Sequence, residues 1–337
     1  MSFFSIIVPV YNMAGKMGEC FRSLKLQTFG DFEAVIVDDG SSDSGAREID
    51  ELCAADARFR CVRHEKNSSI LVSRYTGLQN SNGNYVLFVD ADDSLEINAL
   101  ELIYNSLQSD PVDILRFGHM EMYGSTREKT LCEKSRVIMP QPYADPLRAM
   151  LEDRTSPNVF KNCYSRAVAE KALDRAERFY CNMGEDVYWS TLLFSCAESF
   201  GILEQCLYRY NIGGGISTLS GTPAQLAEYA GHIRECMERV NKYLETDAPG
   251  LLELAARKYI RMNCFLMLVF VIDERERDKE EEYLKFFDTP DLRPVYRHGR
   301  DRVIPFKREM QTGGKGVSLN GRKIHYLEDL MPDETEV

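Results

Sequence analysis

The sequence has no CxxC pair and no cysteine–histidine spacing of the zinc-binding kind, which excludes a zinc ribbon or finger. Its ten cysteines (20, 53, 61, 132, 163, 181, 196, 206, 236 and 264) are scattered. Several, such as Cys196 and Cys264, stand among apolar residues, so reduced thiols packed as small hydrophobes are expected. Long apolar runs are also lacking. Cys264 to Ile272 is the most apolar later stretch, well short of the roughly 20 residues needed to cross a bilayer. The opening segment MSFFSIIVPVYN carries no basic stretch and no small-residue cleavage site, so it does not read as a signal peptide. A cytoplasmic location follows as the expectation, with peripheral attachment at the inner face of the membrane as its variant. Positive charge is short as well: 41 Lys and Arg face 53 Asp and Glu, a net charge of −12. Non-specific nucleic-acid binding rests on Lys and Arg meeting phosphates, so nucleic acid is not an expected partner. No G-x-G-x-x-G follows the first apolar strand, which argues against a dinucleotide oxidoreductase.

What is present is an ordinary globular balance, 44% apolar and 28% charged over 337 residues. That length suits one large domain with an appendage. The first 120 residues alternate between short apolar strands and helices. Strands are predicted at Phe4 to Val8, Phe32 to Val37, Arg60 to Arg63 and Tyr85 to Val89. Helices are predicted at Lys16 to Gln27, up to about Ala55, and at Ser69 to Asn80. This pattern predicts an α/β fold with a mostly parallel sheet flanked by helices. Later elements are a strand at 114–122, a polar hairpin or loop at 124–142 and short helices at 146–152 and 166–175. A helix from Gly184 through Cys196 and a strand at 202–210 follow. Helices are expected at about 223–246, 250–274 and 277–287, then a basic, Gly-rich, irregular tail. The expected organisation is a catalytic domain over 1–220 and a helical C-terminal region over 221–337, the latter a candidate surface for a homodimer.

In a parallel sheet ligands bind beyond the carboxyl ends of the strands. Three strands here end on polar groups: Tyr11-Asn12, Asp38-Asp39, and Asp90-Ala91-Asp92-Asp93. Carboxylates packed this densely repel one another, and desolvating them is costly without a counter-charge. A hard divalent cation, Mn²⁺ or Mg²⁺, is their natural partner. Asp93 alone reads as the cap of a helix starting near Leu95. Asp38-Asp39-Gly40-Ser41 reads either as a turn and helix cap or as an acceptor for an imide N–H. Glu185 and Asp186, after Gly184 at a helix start, form an acidic pair in which one member can be tuned as a general base. Arg74 is placed to pair with a diphosphate or with the aspartates. Arg209 and the Gly213-Gly214-Gly215 loop read as elements that close over a donor. His64 and His119 receive no role.

Taken in order, these residues resemble the family 2 inverting glycosyltransferases of the GT-A (Rossmann-like) fold. The resemblance runs through Ser5 to Asn12, Gln27-Thr28-Phe29, Asp31-Phe32-Glu33, Asp38 to Asp43, Ser73-Arg74 with Gly77, and Gly83 to Asp93. It implies a UDP-sugar or other nucleoside-diphosphate sugar as donor. Pro9, Tyr11 and Asp39 would hold the uracil, with Asn12, Arg74 and Ala91 completing the donor pocket. Asp90 would face the ribose, and Asp92, with Asp90 beside it, would ligate the metal. Asp186 would be the base with Glu185 beside it, and the acceptor a hydroxyl of a glycan or lipid-linked molecule. A role in surface polysaccharide synthesis follows by family analogy alone. Two rivals differ in sequence. A sugar-phosphate nucleotidyltransferase would carry a Gly-rich phosphate loop where Pro9-Val10-Tyr11-Asn12 stands. A catalytically silent nucleotide-sugar-binding module would lack Asp92 or Asp186.

Overall fold

The computed structural model describes residues 2–123, 128–133, 146–152, 155–212, 223–271, 317–319 and 322–324. The chain divides into two compact units, Met1–Gly215 and Ile216–Val337. The first opens with strand β1 (Phe4–Val10), helix α1 (Gly18–Lys25), β2 (Phe32–Asp38), α2 (Gly45–Ala55), β3 (Phe59–Arg63), α3 (Ile70–Gln79) and β4 (Tyr85–Phe88). A two-residue strand β5 (Ser94–Leu95), α4 (Ala99–Ser109), β6 (Ile114–Tyr123), β7 (Glu128–Glu133) and α5 (Pro146–Leu151) follow. It closes with β8 (Asn162–Ser165), α6 (Arg166–Arg175), α7 (Glu185–Ser195) and β9 (Phe200–Ile212).

The strands form one sheet in the order β3-β2-β1-β4-β8-β6-β9-β5, with β7 on β6. Pairing is parallel from β3 through β4. Beyond β4 the sheet is mixed: β8 runs antiparallel between β4 and β6, and β9 lies parallel to β6. The expectation of a mostly parallel sheet therefore holds for the N-terminal half only. The cause is β8, a four-residue strand that hydropathy did not announce. The expected helix near Leu95 is also corrected. Ser94 and Leu95 pair with Arg209 and Tyr208 of β9, and α4 begins only at Ala99. Pairing with a strand more than 110 residues away overrides local helix preference there.

The parallel half explains why the rim is polar. β1, β2 and β4 are buried along nearly their whole length, so it is their carboxyl ends that present hydrophilic groups, while the edge strand β3 is buried only at Phe59. Ile6, Val8 and Val10 share a core with α1, α2 and α4, whose contributions include Phe21, Leu24, Ile49 and Ile103. Ile7, on the opposite pleat, faces α3. Pro9 has no N–H to donate, and it sits beyond Ile7↔Phe88, the last β1–β4 partners, where no ladder bond on that side is lost.

Among the described residues seven cysteines, including Cys20, Cys163 and Cys196, are reduced thiols outside any disulfide, most of them buried as expected. Cys206 departs from that expectation and is disulfide-bonded. In the second unit α8 (Pro223–Asp247) packs on α9 (Leu252–Val271). Leu226, Ala230, Ile233, Met237, Val240 and Leu244 form its buried stripe at helical spacing. Residues 317–319 and 322–324 pair as a short antiparallel hairpin within the tail read as irregular. The Gly213-Gly214-Gly215 loop and the helix expected at 277–287 lie outside the described residues.

Gly77 marks the closest approach of α3 to the sheet. A Cβ there would stand 2.3 Å from Cγ2 of Ile7. Gly77→Ala is expected to cost roughly 1–3 kcal/mol through overpacking of this contact. Urea denaturation checks this, and an unchanged midpoint would contradict the packing.

Candidate active site

The end of one strand and the start of one helix meet at a buried guanidinium. Arg74 projects from α3 and is 1% exposed. Its Nη1 donates to Oδ1 of Asp186 at 2.8 Å and to Oε1 of Glu185 at 3.2 Å. Its Nη2 donates to Oδ1 of Asp90 at 3.1 Å. Two aspartates and one glutamate are thus its partners. The same geometry joins two segments far apart in sequence, the end of β4 and the start of α7. Gly184, at φ 90°, supplies the left-handed turn that aims Glu185 and Asp186 inward from the first turn of α7.

Burial raises the Asp186 carboxyl to about 7, with Arg74 opposing the rise and Glu185 and Asp90 adding to it. The 28% of this side chain that stays open to solvent moderates the shift. Glu185 is also pushed up by burial against the pull of Arg74, and is more deeply enclosed. Asp186 is therefore the member of the pair that both reaches solvent and can hold a proton near neutral pH.

Asp92 is different in kind. It is half-buried, and its carboxylate is hydrogen-bonded only to its own backbone. Burial and then repulsion from Asp90 push its carboxyl up to about 6, with Lys16 opposing. Among the described residues no three His, Cys, Asp or Glu side chains are grouped as a complete metal cage. A half-open carboxylate with a second one beside it fits a cation that takes one or two protein oxygens and fills its other positions from water and phosphates. The Ala91 side chain lies in the core, which leaves its backbone as the part that can line the rim.

Asp93 corrects an expectation. It caps no helix but turns back to β9, accepting from the Tyr208 hydroxyl at 2.6 Å and from the Asn211 N–H at 2.7 Å. Burial, then Asp90 and Asp92, hold its carboxyl well above the ordinary range. Arg209 donates from its Nε to Glu96 at 2.7 Å.

At the other end of the rim Tyr11 is 46% exposed, an aromatic face free to stack. Asn12, in the left-handed region at φ 51°, is a clasp: its N–H donates to Ser41 Oγ and its Oδ1 accepts from the Ser42 N–H. Asp39 is nearly fully buried, and its two oxygens take the N–H groups of Ser68 and Ser69 at 2.8 and 2.9 Å. Oδ1 also meets Nδ1 of His64 at 2.6 Å, and Nε2 of that ring meets Thr76 on α3. Asp39 thus organises the 64–69 loop, whatever else it binds. His64 and Tyr208 went unassigned in the sequence. The rim argument could have found His64, which follows the end of β3 next to β2. Nothing local announces Tyr208.

Removing Arg74 leaves its carboxylates without a cation. Arg74→Met is expected to cost about 3–5 kcal/mol, the usual cost of orphaning a buried charge. The sign with pH is fixed. Asp186 and Glu185 already hold their protons above the ordinary carboxylate range, and without the cation they hold them to still higher pH, so protonation favours the folded variant. The loss relative to wild type is therefore small at low pH, where these carboxyls are protonated in both proteins, and grows as pH rises above the wild-type folded pKa values toward those of the variant. Denaturation at pH 5 and pH 8 measures this, and a pH-independent loss would contradict the cluster.

Comparison with known proteins shows the family and the fold. The sequence profile described as "Glycosyl transferase family 2" matches residues 5–207, more than half of the chain. The chain is 29% identical over 211 residues to the uncharacterized glycosyltransferase EpsJ of Bacillus subtilis, covering 61% of this chain and 60% of that protein. It is 37% identical over 225 residues to glycosyltransferase GlyA of Streptococcus pneumoniae, covering 63% of this chain and 31% of that protein. The aligned part thus spans less than two thirds of either relative. Among solved structures, S. aureus TarS 1-349 in complex with UDP-GlcNAc superposes with a TM-score of 0.57 at 17% identity, covering 98% of both chains. Mannosyltransferase PcManGT from Pyrobaculum calidifontis, in complex with GDP-Man and Mn²⁺, superposes at 0.53 and 14% identity, covering 93% of this chain and 84% of its own. The sheet, the flanking helices and the rim they carry have the GT-A fold, and the chain belongs to glycosyl transferase family 2.

Proposed function

We propose that the protein is a metal-dependent inverting glycosyltransferase using a nucleoside-diphosphate sugar, with a UDP-sugar as the first choice. The observation that carries this reading is the Arg74 cluster, which brings the base candidate Asp186 to the strand end that bears Asp90 and Asp92. The structural neighbours were solved with UDP-GlcNAc and with GDP-Man and Mn²⁺, which supports a nucleotide-sugar donor and a divalent ion.

In this proposal the exposed ring of Tyr11 stacks on the base. Asp39 offers its remaining acceptor capacity to the imide N–H, while the backbone around Pro9, Asn12 and Ala91 shapes the pocket. Asp90 turns toward the ribose, and Asp92, with Asp90 beside it, holds Mn²⁺ or Mg²⁺. The ion supplies Lewis-acid stabilisation of charge on the departing diphosphate. Asp186 accepts the proton of the acceptor hydroxyl as that oxygen attacks the anomeric carbon. Arg74 fixes the base in place, and Glu185 keeps negative charge beside it. One displacement from the face opposite the leaving group inverts the anomeric centre.

The acceptor in this reading is a glycan or lipid-linked hydroxyl in surface polysaccharide synthesis, met at the inner face of the membrane. No helix among the described residues is long and apolar enough to cross a membrane, so the proposed contact is peripheral. Self-association through α8 and α9 is part of the same proposal.

Asp186→Asn is expected to leave UDP binding intact and lower kcat by roughly 10²-fold or more, the scale of a lost general base. Because burial raises this carboxyl and the base must be ionised, kcat/KM is expected to rise with pH along an acid limb above pH ~5, which the variant loses. Near-normal turnover with the limb retained would move the base elsewhere. Asp92→Ala is expected to abolish the Mn²⁺-dependent part of UDP affinity in calorimetry. An unchanged Mn²⁺ response would sink the metal role. Asp39→Ala is expected to weaken uridine binding as well as stability; a lower melting temperature alone would reduce Asp39 to a loop organiser.

A further inference from the structure

The turn that carries Asp92 is held by a chain of linked hydrogen bonds. The Asp93 N–H donates to the Asp90 carbonyl at 3.0 Å, closing the turn. The Asp90 N–H donates to the Tyr208 oxygen at 3.1 Å. That oxygen therefore spends its own proton on Oδ2 of Asp93, at 2.6 Å. Oδ1 of Asp93 accepts from the Asn211 N–H at 2.7 Å. Tyr208 is fully buried and Asp93 is 2% exposed, so water supplies neither of them. Phe160 stacks on the Tyr208 ring at 4.4 Å between centroids and fixes its position.

A buried carboxylate in this place is costly. Asp90 and Asp92 repel it, and its direct partners here are a phenol and an amide rather than a cation. An asparagine would be cheaper to bury but does not fit the bond directions. Its NH2 would have to face the Tyr208 hydroxyl, whose proton would then lose its acceptor, or the Asn211 N–H, which is itself a donor. The arrangement demands two acceptors at residue 93. One part of the turn is left out of the network: the Asp92 carboxylate, which takes no bond from another side chain.

We propose that Tyr208 and Asp93 form a clasp that positions the Asp90–Asp92 turn for a divalent cation and thereby sets cation affinity, without touching the cation or the substrate. The proposal rests on the metal reading given above. It makes β9, distant in sequence, part of the donor-side machinery, through positioning residues that no short acidic motif reveals.

The test titrates Mn²⁺ into the full chain with UDP present and follows free Mn²⁺ by its electron paramagnetic resonance signal. Tyr208→Phe removes one oxygen and keeps the ring stack. Asp93→Asn breaks the acceptor pattern in a second way, should the first variant fold poorly by circular dichroism. Each is expected to weaken Mn²⁺ about 10-fold or more, the scale found when a group orienting a metal ligand is lost. The double variant is expected to lose little more than either single one, because both cut the same network. Glu96→Gln serves as control: it cuts the Glu96–Arg209 pair on the neighbouring β5–β9 contact, and Mn²⁺ affinity should stay at the wild-type value. Lower melting temperatures with wild-type Mn²⁺ affinity in both variants would overturn the clasp. Absence of Mn²⁺ binding by the wild type with UDP would instead overturn the metal reading, and the clasp with it.

Discussion

The buried guanidinium of Arg74 is the constraint from which the rest of the site follows. A cation with 1% exposure is tolerable only if anions surround it, and Asp90, Glu185 and Asp186 do so. Those anions in turn are tolerable together only because the cation sits between them. The ion pairs thus tie the end of a strand in the parallel half of the sheet to the first turn of a helix more than 90 residues later. The catalytic reading of Asp186 depends on this tie, since it sets both where the carboxylate stands and how strongly it holds a proton.

Around that centre the rim divides into groups already spent on the fold and groups left open. Asn12, Asp93, Arg209 and most of Asp39 are spent: their hydrogen bonds close loops and join strands. Tyr11 and Asp92 are open, and Asp186 partly so. A nucleoside diphosphate with a divalent ion would need an aromatic face, a free hard oxygen and a base. The open groups supply that set. The spent groups hold them in register, so an assignment of function by residue type alone would mix the two classes.

Much of the fold was legible. β1, β2 and β4 announced themselves as apolar runs ending in polar clusters, and α6 and α7 were found close to their observed bounds. The strand-end rule places Asp39, Asp90 and Asp92 on one rim from the sequence alone. What escapes detection in the first unit is mostly the product of long-range pairing, whereas the short hairpin of 317–319 with 322–324 is local. β8 is four residues long, and Ser94-Leu95 becomes a strand only because Tyr208 and Arg209 lie opposite. The role of Asp93 could not be read because its partners, Tyr208 and Asn211, are more than 110 residues away. Arg74 was assigned two alternative partners for the same reason. Local sequence states which groups are charged, while topology decides which of them meet.

The family assignment fixes the fold and leaves the donor and acceptor to experiment. The most direct test of the central claim is nucleotide release from a panel of nucleoside-diphosphate sugars, measured with Mn²⁺ and with the metal chelated. The account predicts release from at least one member, a UDP-sugar first, that depends on the metal and yields a product of inverted anomeric configuration. Release indifferent to chelation, or a product of retained configuration, would contradict it.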